Sequence, residues 1–297
     1  MQLVRQNDKK RVRLVLSGVA LMAATAVVAT ACSTGGSGKP VQPAPGQQAA
    51  DLAKQRAAAH AAKVKAVKRW RLAKMPLSAP EPPAKKTKPT TRKGFEVSGQ
   101  KNLPQVFTTI PTKDKVVFLT IDDGAEKDPQ FLRMMSELKI PYTAFLSDYL
   151  VKEDYGYFKK MQDRGVVLNN HTLNHRYLPG LTYAQQKREI CGMQDVIEKR
   201  YGKRPELFRP PYGNYNKDTL KAAKSCGIKA VPLWNAEVFA KRMDYREWDR
   251  DIHPGDIILT HFRGKEDWKG SMPDMIRKFM KLVTDKGYAV ARLEDYL

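Results

Sequence analysis

The chain has 297 residues, of which 42% are hydrophobic and 9% aromatic. That is enough apolar material for a packed core, so a wholly disordered chain is excluded. It carries 53 Lys and Arg against 31 Asp and Glu, a formal charge of +22, which by itself points to an anionic partner: nucleic acid, a membrane surface or an acidic polymer.

The excess is uneven. Residues 1–104 hold 20 basic and 4 acidic residues, whereas residues 105–297 hold 33 and 27. A nearly balanced domain behind a basic leader is not the pattern of a basic nucleic-acid-binding fold, so no nucleic-acid partner is expected.

Arg5, Lys9, Lys10, Arg11 and Arg13 come first, and an apolar run over 14–28 follows. Ala29-Thr30-Ala31-Cys32 closes it. A basic n-region, an apolar h-region and small residues at a cleavage point make a secretory signal peptide of residues 1–31. The run is short of the roughly 20 apolar residues that a spanning helix needs. Small residues directly before Cys32 resemble the lipobox of bacterial lipoproteins, although Ala29 stands where that motif most often has Leu. Ala-Thr-Ala also suits plain signal cleavage. The expected location is extracytoplasmic: a membrane-anchored lipoprotein lipidated at Cys32, or alternatively a secreted protein. In that compartment the remaining cysteines, Cys191 and Cys226, can oxidise. A disulfide between them and a pair of buried thiols both stay open.

Residues 32–104 read as a stalk. Ser33 to Gly38 has linker composition, with Pro40, Pro43 and Pro45 after it. Residues 51–74, rich in Ala, Lys and Arg, suit a basic helix. Pro76, Pro80, Pro82, Pro83 and Pro89 then favour extended chain. Such a partly helical, partly disordered spacer would hold a domain off a membrane and be drawn to anionic membrane or wall polymers.

The globular part is placed at 105–297. Strands are expected at 115–122, 142–146, 166–169, 207–208, 228–234, 256–260 and 288–293. Helices are expected at 129–138, 155–164, 182–201, 218–226 and 272–286. Strands alternating with helices predict an α/β fold of parallel βα units. Ionisable residues gather just after strands, where a βα-barrel forms its active site. The segment is short of the ~250 residues of a full barrel, so a distorted, incomplete (β/α) barrel fits better.

Asp122-Asp123-Gly124 puts two carboxylates at a strand end; a metal taking one would leave the other as a base. His171 and His175, spaced i and i+4, would lie on one face of a helical turn and share that metal. Arg209-Pro210-Pro211-Tyr212-Gly213 is a stiffened segment whose cation could keep a carboxylate ionised. His261, at another strand end, is a candidate acid or base. His60 and His253 read as structural or solvated.

T-x-D-D-G, H-T-x-x-H, R-P-P-Y and L-x-H, in this order over about 110–297, resemble the polysaccharide deacetylases (NodB-homology, carbohydrate esterase family 4). The resemblance implies Asp122 as catalytic base, and Asp123, His171 and His175 as ligands of a divalent metal, usually zinc, sometimes cobalt or nickel. It implies that Arg209 orients Asp122, Tyr212 offers a backbone N–H to the oxyanion, and His261 is the general acid. One motif departs. Where the family commonly has Asp-x-x-Asp-Trp, this chain has Trp234-Asn-Ala-Glu237-Val-Phe239. Glu237 takes the place of the acid that tunes the histidine, and Phe239 or Trp248 is left to line the groove.

The expected function is metal-dependent removal of N-acetyl groups from an extracytoplasmic glycan by a monomer. Peptidoglycan is favoured, with a chitin-like polymer also in view. The alternatives are an O-acetyl esterase on xylan or a wall polymer, and a non-catalytic glycan-binding module.

Overall fold

The second strand of the sheet, Val116–Asp123, is buried at all eight positions, as expected of a strand covered on both faces. In the computed structural model of the chain, residues 45–96 and 101–297 are described; the signal segment and Cys32 lie outside them. The strands are β1 (Gln105–Phe107), β2 (Val116–Asp123), β3 (Thr143–Leu146), β4 (Leu168–Asn170), β5 (Ala230–Pro232), β6 (Ala236–Val238), β7 (Met243–Tyr245), β8 (Ile257–His261) and β9 (Ala289–Ala291). The helices are α1 (Pro45–Arg69), α2 (Pro129–Leu138), α3 (Asp148–Val151), α4 (Tyr155–Gln162), α5 (Tyr183–Tyr201), α6 (Lys217–Ser225), α7 (Lys265–Trp268) and α8 (Met272–Asp285). Side-chain caps start them where the sequence offers them. Asp128 caps α2, and Thr182, Asn216 and Ser271 form capping boxes on α5, α6 and α8.

The main sheet runs β7-β6-β8-β2-β3-β4, and β9 pairs the first residues of β2. Every pairing is parallel except β6 with β7. Parallel bridges from Asn170 to Phe208 and from Leu207 to Ala230 carry the sheet on to β5, which pairs β1. Because β5 and β6 lie only a few residues apart in one run, the two ends of the sheet are brought together. The result is the distorted, incomplete (β/α) barrel expected from the strand–helix alternation. Leu207-Phe208 contributes bridges rather than a full strand.

Alternation along β2 sorts the core. Val117, Leu119 and Ile121 pack outward with Phe131, Met135, Phe279 and Met280 of the covering helices. Val116 and Phe118 pack inward with Phe107, Phe145, Phe208 and Tyr296. Thr120 and Asp122 continue the inward row, so Asp122 comes up inside the barrel at its C-terminal rim. Cys191 on α5 and Cys226 at the end of α6 are joined as a disulfide.

The stalk reading needs correction over its second half. Helix α1 forms, but its C-terminal end is packed: Ala66 and Trp70 are buried in the outer core. Trp70 Nε1 donates to Glu137 Oε2 of α2 at 2.7 Å, and Arg69 pairs with the same carboxylate at 2.7 Å. Lys74 pairs with Asp285 at 2.7 Å, and Thr90 bridges Thr109. Gln105 Nε2 donates to the Pro89 carbonyl at 2.6 Å, and Thr91 Oγ1 donates to the Val106 carbonyl. The prolines keep this stretch extended, and an extended chain with free backbone groups can lie against the domain instead of hanging from it. Among the described residues, no helix is long and apolar enough to cross a membrane.

Candidate active site

Five segments deliver side chains to one rim of the barrel: the end of β2 (Asp122, Asp123), the loop after β4 (His171, His175), the turn after Phe208 (Arg209, Tyr212), β6 (Glu237) and the end of β8 (His261). All the residues that the sequence singles out for chemistry converge here.

Arg209 is the deepest. It is fully buried, and its guanidinium is fixed on every side. Nη1 donates to Asp122 Oδ1 at 2.8 Å and to Thr120 Oγ1 at 2.9 Å. Nε donates to the Pro232 carbonyl at 2.8 Å and Nη2 to that of Leu233 at 3.2 Å. The Phe145 ring lies under it, 4.4 Å from centroid to guanidinium carbon. A buried charge is tolerable only when paired and hydrogen-bonded in this way. Burial pushes the Asp122 carboxyl up to about 6, although Arg209 and His261 pull it down. Asp122 therefore remains ionised at neutral pH while being more basic than an ordinary carboxylate.

Asp123 behaves oppositely. Burial raises its carboxyl, but His171, His261, His175 and Arg263 outweigh that and leave it below its ordinary value. Its Oδ2 accepts from Arg263 Nη2 at 2.8 Å. Its Oδ1 is buried and accepts no hydrogen bond. That oxygen faces His175 Nε2 at 3.3 Å and His171 Nε2 at 3.6 Å. Burial lowers both imidazoles to about 4, so both are neutral at physiological pH. His171 Nδ1 lies 2.7 Å from the Arg209 carbonyl. That contact needs the proton on Nδ1, which leaves the Nε2 lone pair facing the carboxylates.

A buried carboxylate oxygen without a donor, opposed by unprotonated imidazole nitrogens, fits a divalent cation. The three ligand atoms lie within 4.8 Å of one another. Two histidines and one carboxylate are a donor set for zinc and similar transition metals.

The helical turn expected between the histidines is absent. Residues 171–176 form a loop, with positive φ at Thr172 (74°) and His175 (52°). Such angles are uncommon for non-glycine residues and persist where surrounding bonds over-determine them. Here Thr172 N donates to Asn170 Oδ1, His175 N to Thr172 Oγ1, and Asn174 N to Glu189 Oε2. Asp123 (82°) and Tyr212 (62°) are also left-handed, so backbone strain collects at this rim. The Tyr212 ring is 60% exposed and stands 4.7 Å from the His175 ring, edge to face.

His261 Nδ1 lies 3.3 Å from Glu237 Oε1. Burial lowers the imidazole, but Glu237, Asp123 and Asp122 outweigh it, and the net shift is upward. Glu237 is thus the acid that stands beside His261 Nδ1. Trp248 does not fold into the site, being 92% exposed on the surface. Phe239 packs edge to face on Trp268 at 6.0 Å, with Arg242 over its other side at 3.6 Å.

Sequence reasoning missed Arg263 and Glu189, and it assigned no role to Thr120. Arg263 sits two residues beyond His261, and its charge could have suggested a partner for the acidic pair. Thr120 opens the T-x-D-D-G motif, and strand alternation puts it on the inward row with Asp122, from where it accepts from Arg209. Glu189 carries no sequence signal beyond being an acid on the buried face of an amphipathic helix.

Residues 109–231 match the family model described as polysaccharide deacetylase. An uncharacterized protein of Streptomyces coelicolor is 40% identical over 198 residues, covering 66% of this chain and 79% of that one. The peptidoglycan-N-acetylmuramic acid deacetylase PdaA of Bacillus subtilis is 27% identical over 197 residues, covering 63% and 73%. Among solved structures, a family 4 carbohydrate esterase from Bacillus anthracis superposes with a TM-score of 0.55 at 24% identity, covering 74% of this chain and 98% of that one.

Proposed function

We propose, because the chain belongs to the polysaccharide deacetylase family, that this hydrolase removes N-acetyl groups from peptidoglycan outside the cytoplasm, using one divalent cation, zinc. The observation that carries the metal dependence is the donorless Asp123 Oδ1 facing two neutral histidines. Peptidoglycan is supported by the Bacillus subtilis relative, whose name gives that polymer. The basic segment fits an anionic membrane or wall as surroundings, and the signal-like N-terminus with Cys32 fits a lipoprotein.

Asp123, His171 and His175 would hold the cation. When bound, it polarises the acetyl carbonyl and increases the acidity of water. The remaining chemistry belongs to the chain. Asp122 Oδ1 is occupied by Arg209, so Oδ2 is the oxygen available to take a proton from the attacking water. A carboxyl raised to about 6 is ionised at neutral pH and still basic enough for that step. The backbone N–H of Tyr212, set by its left-handed turn, would donate to the developing oxyanion. His261 must deliver a proton to the departing amine. Its upward shift, backed by Glu237 at Nδ1, keeps the imidazolium populated and leaves Nε2 as the donor. An amine leaves poorly without that proton, whereas an alkoxide needs it less, so the His261–Glu237 pair favours the amide over the ester as the bond cleaved.

The test is acetate release from purified peptidoglycan. EDTA should abolish it and zinc should restore it, while Asp122→Asn should lower kcat at least 100-fold without loss of zinc binding. Undiminished turnover by Asp122→Asn would overturn the assignment.

A further inference from the structure

Glu189 takes no part in the chemistry above, yet it is 6% exposed and sits directly behind the histidine loop. Among the described residues no cation pairs with its carboxylate. Its acceptors are filled by one residue: Asn174 N donates to Oε2 at 2.8 Å, and Asn174 Nδ2 to Oε1 at 2.9 Å. The Glu189 carbonyl also accepts from Leu173 N at 3.0 Å. One residue of α5 therefore holds three donors from the two residues midway between His171 and His175.

One helical turn further along α5 stands Gly192. A Cβ there would lie 2.5 Å from Leu173 Cδ1. Residues three apart share a helix face, so Glu189 and Gly192 form one seat, with the acid binding the loop backbone and the glycine clearing space for its leucine. The seated loop has left-handed φ at both Thr172 and His175. The first half of the loop has other holds, Thr172 N on Asn170 Oδ1 and the Thr172 and Leu173 carbonyls accepting from Asp148 N and Tyr149 N. Asn174, the neighbour of His175, is tied down through Glu189, so its release would let His175 swing from Asp123.

We propose that Glu189 is a positioning residue: it clamps the 172–175 loop in the strained shape that aims His175 at Asp123, and so sets the affinity of the site for its cation. This rests on reading Asp123, His171 and His175 as the cation site. A carboxylate suits the role because Asn174 presents two donors side by side, and an ionised group binds such a pair more strongly than a neutral one.

The test uses the full chain and zinc alone, titrated against a chromophoric chelator. Glu189→Ala should weaken zinc binding about 10- to 100-fold, the usual cost of losing an outer partner of a metal ligand. Glu189→Gln should stay within about threefold, because its amide can pair reciprocally with that of Asn174. Asn174→Asp, at an exposed position, sets like charges face to face and should weaken binding as Glu189→Ala does. Wild-type affinity in either Glu189→Ala or Asn174→Asp overturns the proposal. If Glu189→Ala fails to fold, Asn174→Asp decides. If the wild-type chain binds no zinc, the cation reading falls separately. Amide exchange of residues 172–175 without metal then decides for the clamp: faster exchange in the variant supports it, and unchanged exchange overturns it.

Discussion

If the segment before the barrel were only a tether, Trp70 could be replaced without consequence. In the structure it is 8% exposed, packs with the outer core beside α2 and α8, and donates to Glu137 at 2.7 Å. Truncating a buried Trp to Ala costs about 3–5 kcal/mol. Loss of the hydrogen bond adds little to that. The Glu137 side chain is 24% exposed and keeps Arg69 and Arg133, so water replaces much of what the indole gave. Trp70→Ala should therefore destabilise the protein by about 3–5 kcal/mol, lowering Tm by roughly 6–20 °C for a domain of this size. Trp70→Phe keeps most of the ring packing and should lose only about 1–2 kcal/mol. Urea unfolding of the full chain, followed by circular dichroism, reads both. Acetate release per folded molecule should not change, because Trp70 lies on the outer core and not at the rim. A Trp70→Ala protein within about 0.5 kcal/mol of wild type, the range of an ordinary surface change, would show that the segment does not dock.

Two other stability effects follow from single features. The Cys191–Cys226 bond closes a loop with a sequence separation of 35 residues; replacing both cysteines by Ala should cost about 2–4 kcal/mol, and adding reductant should leave that double variant unchanged. Alkylation of Cys191 or Cys226 in the unreduced wild-type protein, read on the peptides that carry them, would show that these thiols are free. Burial raises Glu294 above its ordinary 4.5, despite hydrogen bonds from its own backbone and from Thr143 and Asn169. The folded state therefore holds this proton more tightly than the unfolded state does. The associated stability is present below the ordinary value and is lost as pH rises through the raised one. Glu294→Gln removes that loss and offers a donor near Asn169 Oδ1, which is buried without a partner. The variant should be more stable than wild type at neutral pH and no better below about pH 4. Parallel pH–stability curves for the two proteins would refute this.

The legible part of the sequence was what repeats or sits beside a strand end. The strand at Val116–Asp123 follows from its unbroken apolar run into two acids, and α5 and α8 from their periodicity and capping residues. The rim residues were legible because parallel βα units send every strand end to one side. The β6–β7 hairpin was not. Ala236–Val238 and Met243–Tyr245 are three residues each, too short for a period to register, and the second is largely exposed. The histidine loop was misassigned because i, i+4 spacing suits a helical turn equally well. Side-chain partners decide for the left-handed alternative, some local (Asn170 Oδ1 and Thr172 Oγ1) and one far along the chain, Glu189. The docked segment was hidden for a similar reason. Alanine, lysine and proline composition describes a spacer, and the docking depends on the single aromatic Trp70 and on where Glu137 happens to face.

The same dependence on distant partners explains how the site tolerates what it contains. Asp123, Thr172, His175 and Tyr212 all hold left-handed backbone, and Arg209 and Asp122 form an ion pair in the barrel interior. Each of these is unfavourable by itself. Local bonds, such as His175 N to Thr172 Oγ1, are joined by supports from elsewhere in the chain. Arg209 is fixed by the carbonyls of Pro232 and Leu233 at the end of β5 and by Thr120 of β2, and the histidine loop in part by α5. Arg263, just past β8, secures Asp123. A perturbation at any one support should therefore be felt at a ligand or at the base without touching either. That separates two kinds of loss. Removal of Asp122 should stop turnover and leave zinc affinity intact, whereas removal of Glu189 should weaken zinc binding and leave Asp122 with its partners. A residue that abolished both together, with the fold intact, would mean that the cation and the base share a support, and Arg209 is the residue placed to be it: its guanidinium holds Asp122 and its backbone carbonyl fixes the tautomer of His171, so a substitution that shifts this backbone would reach both.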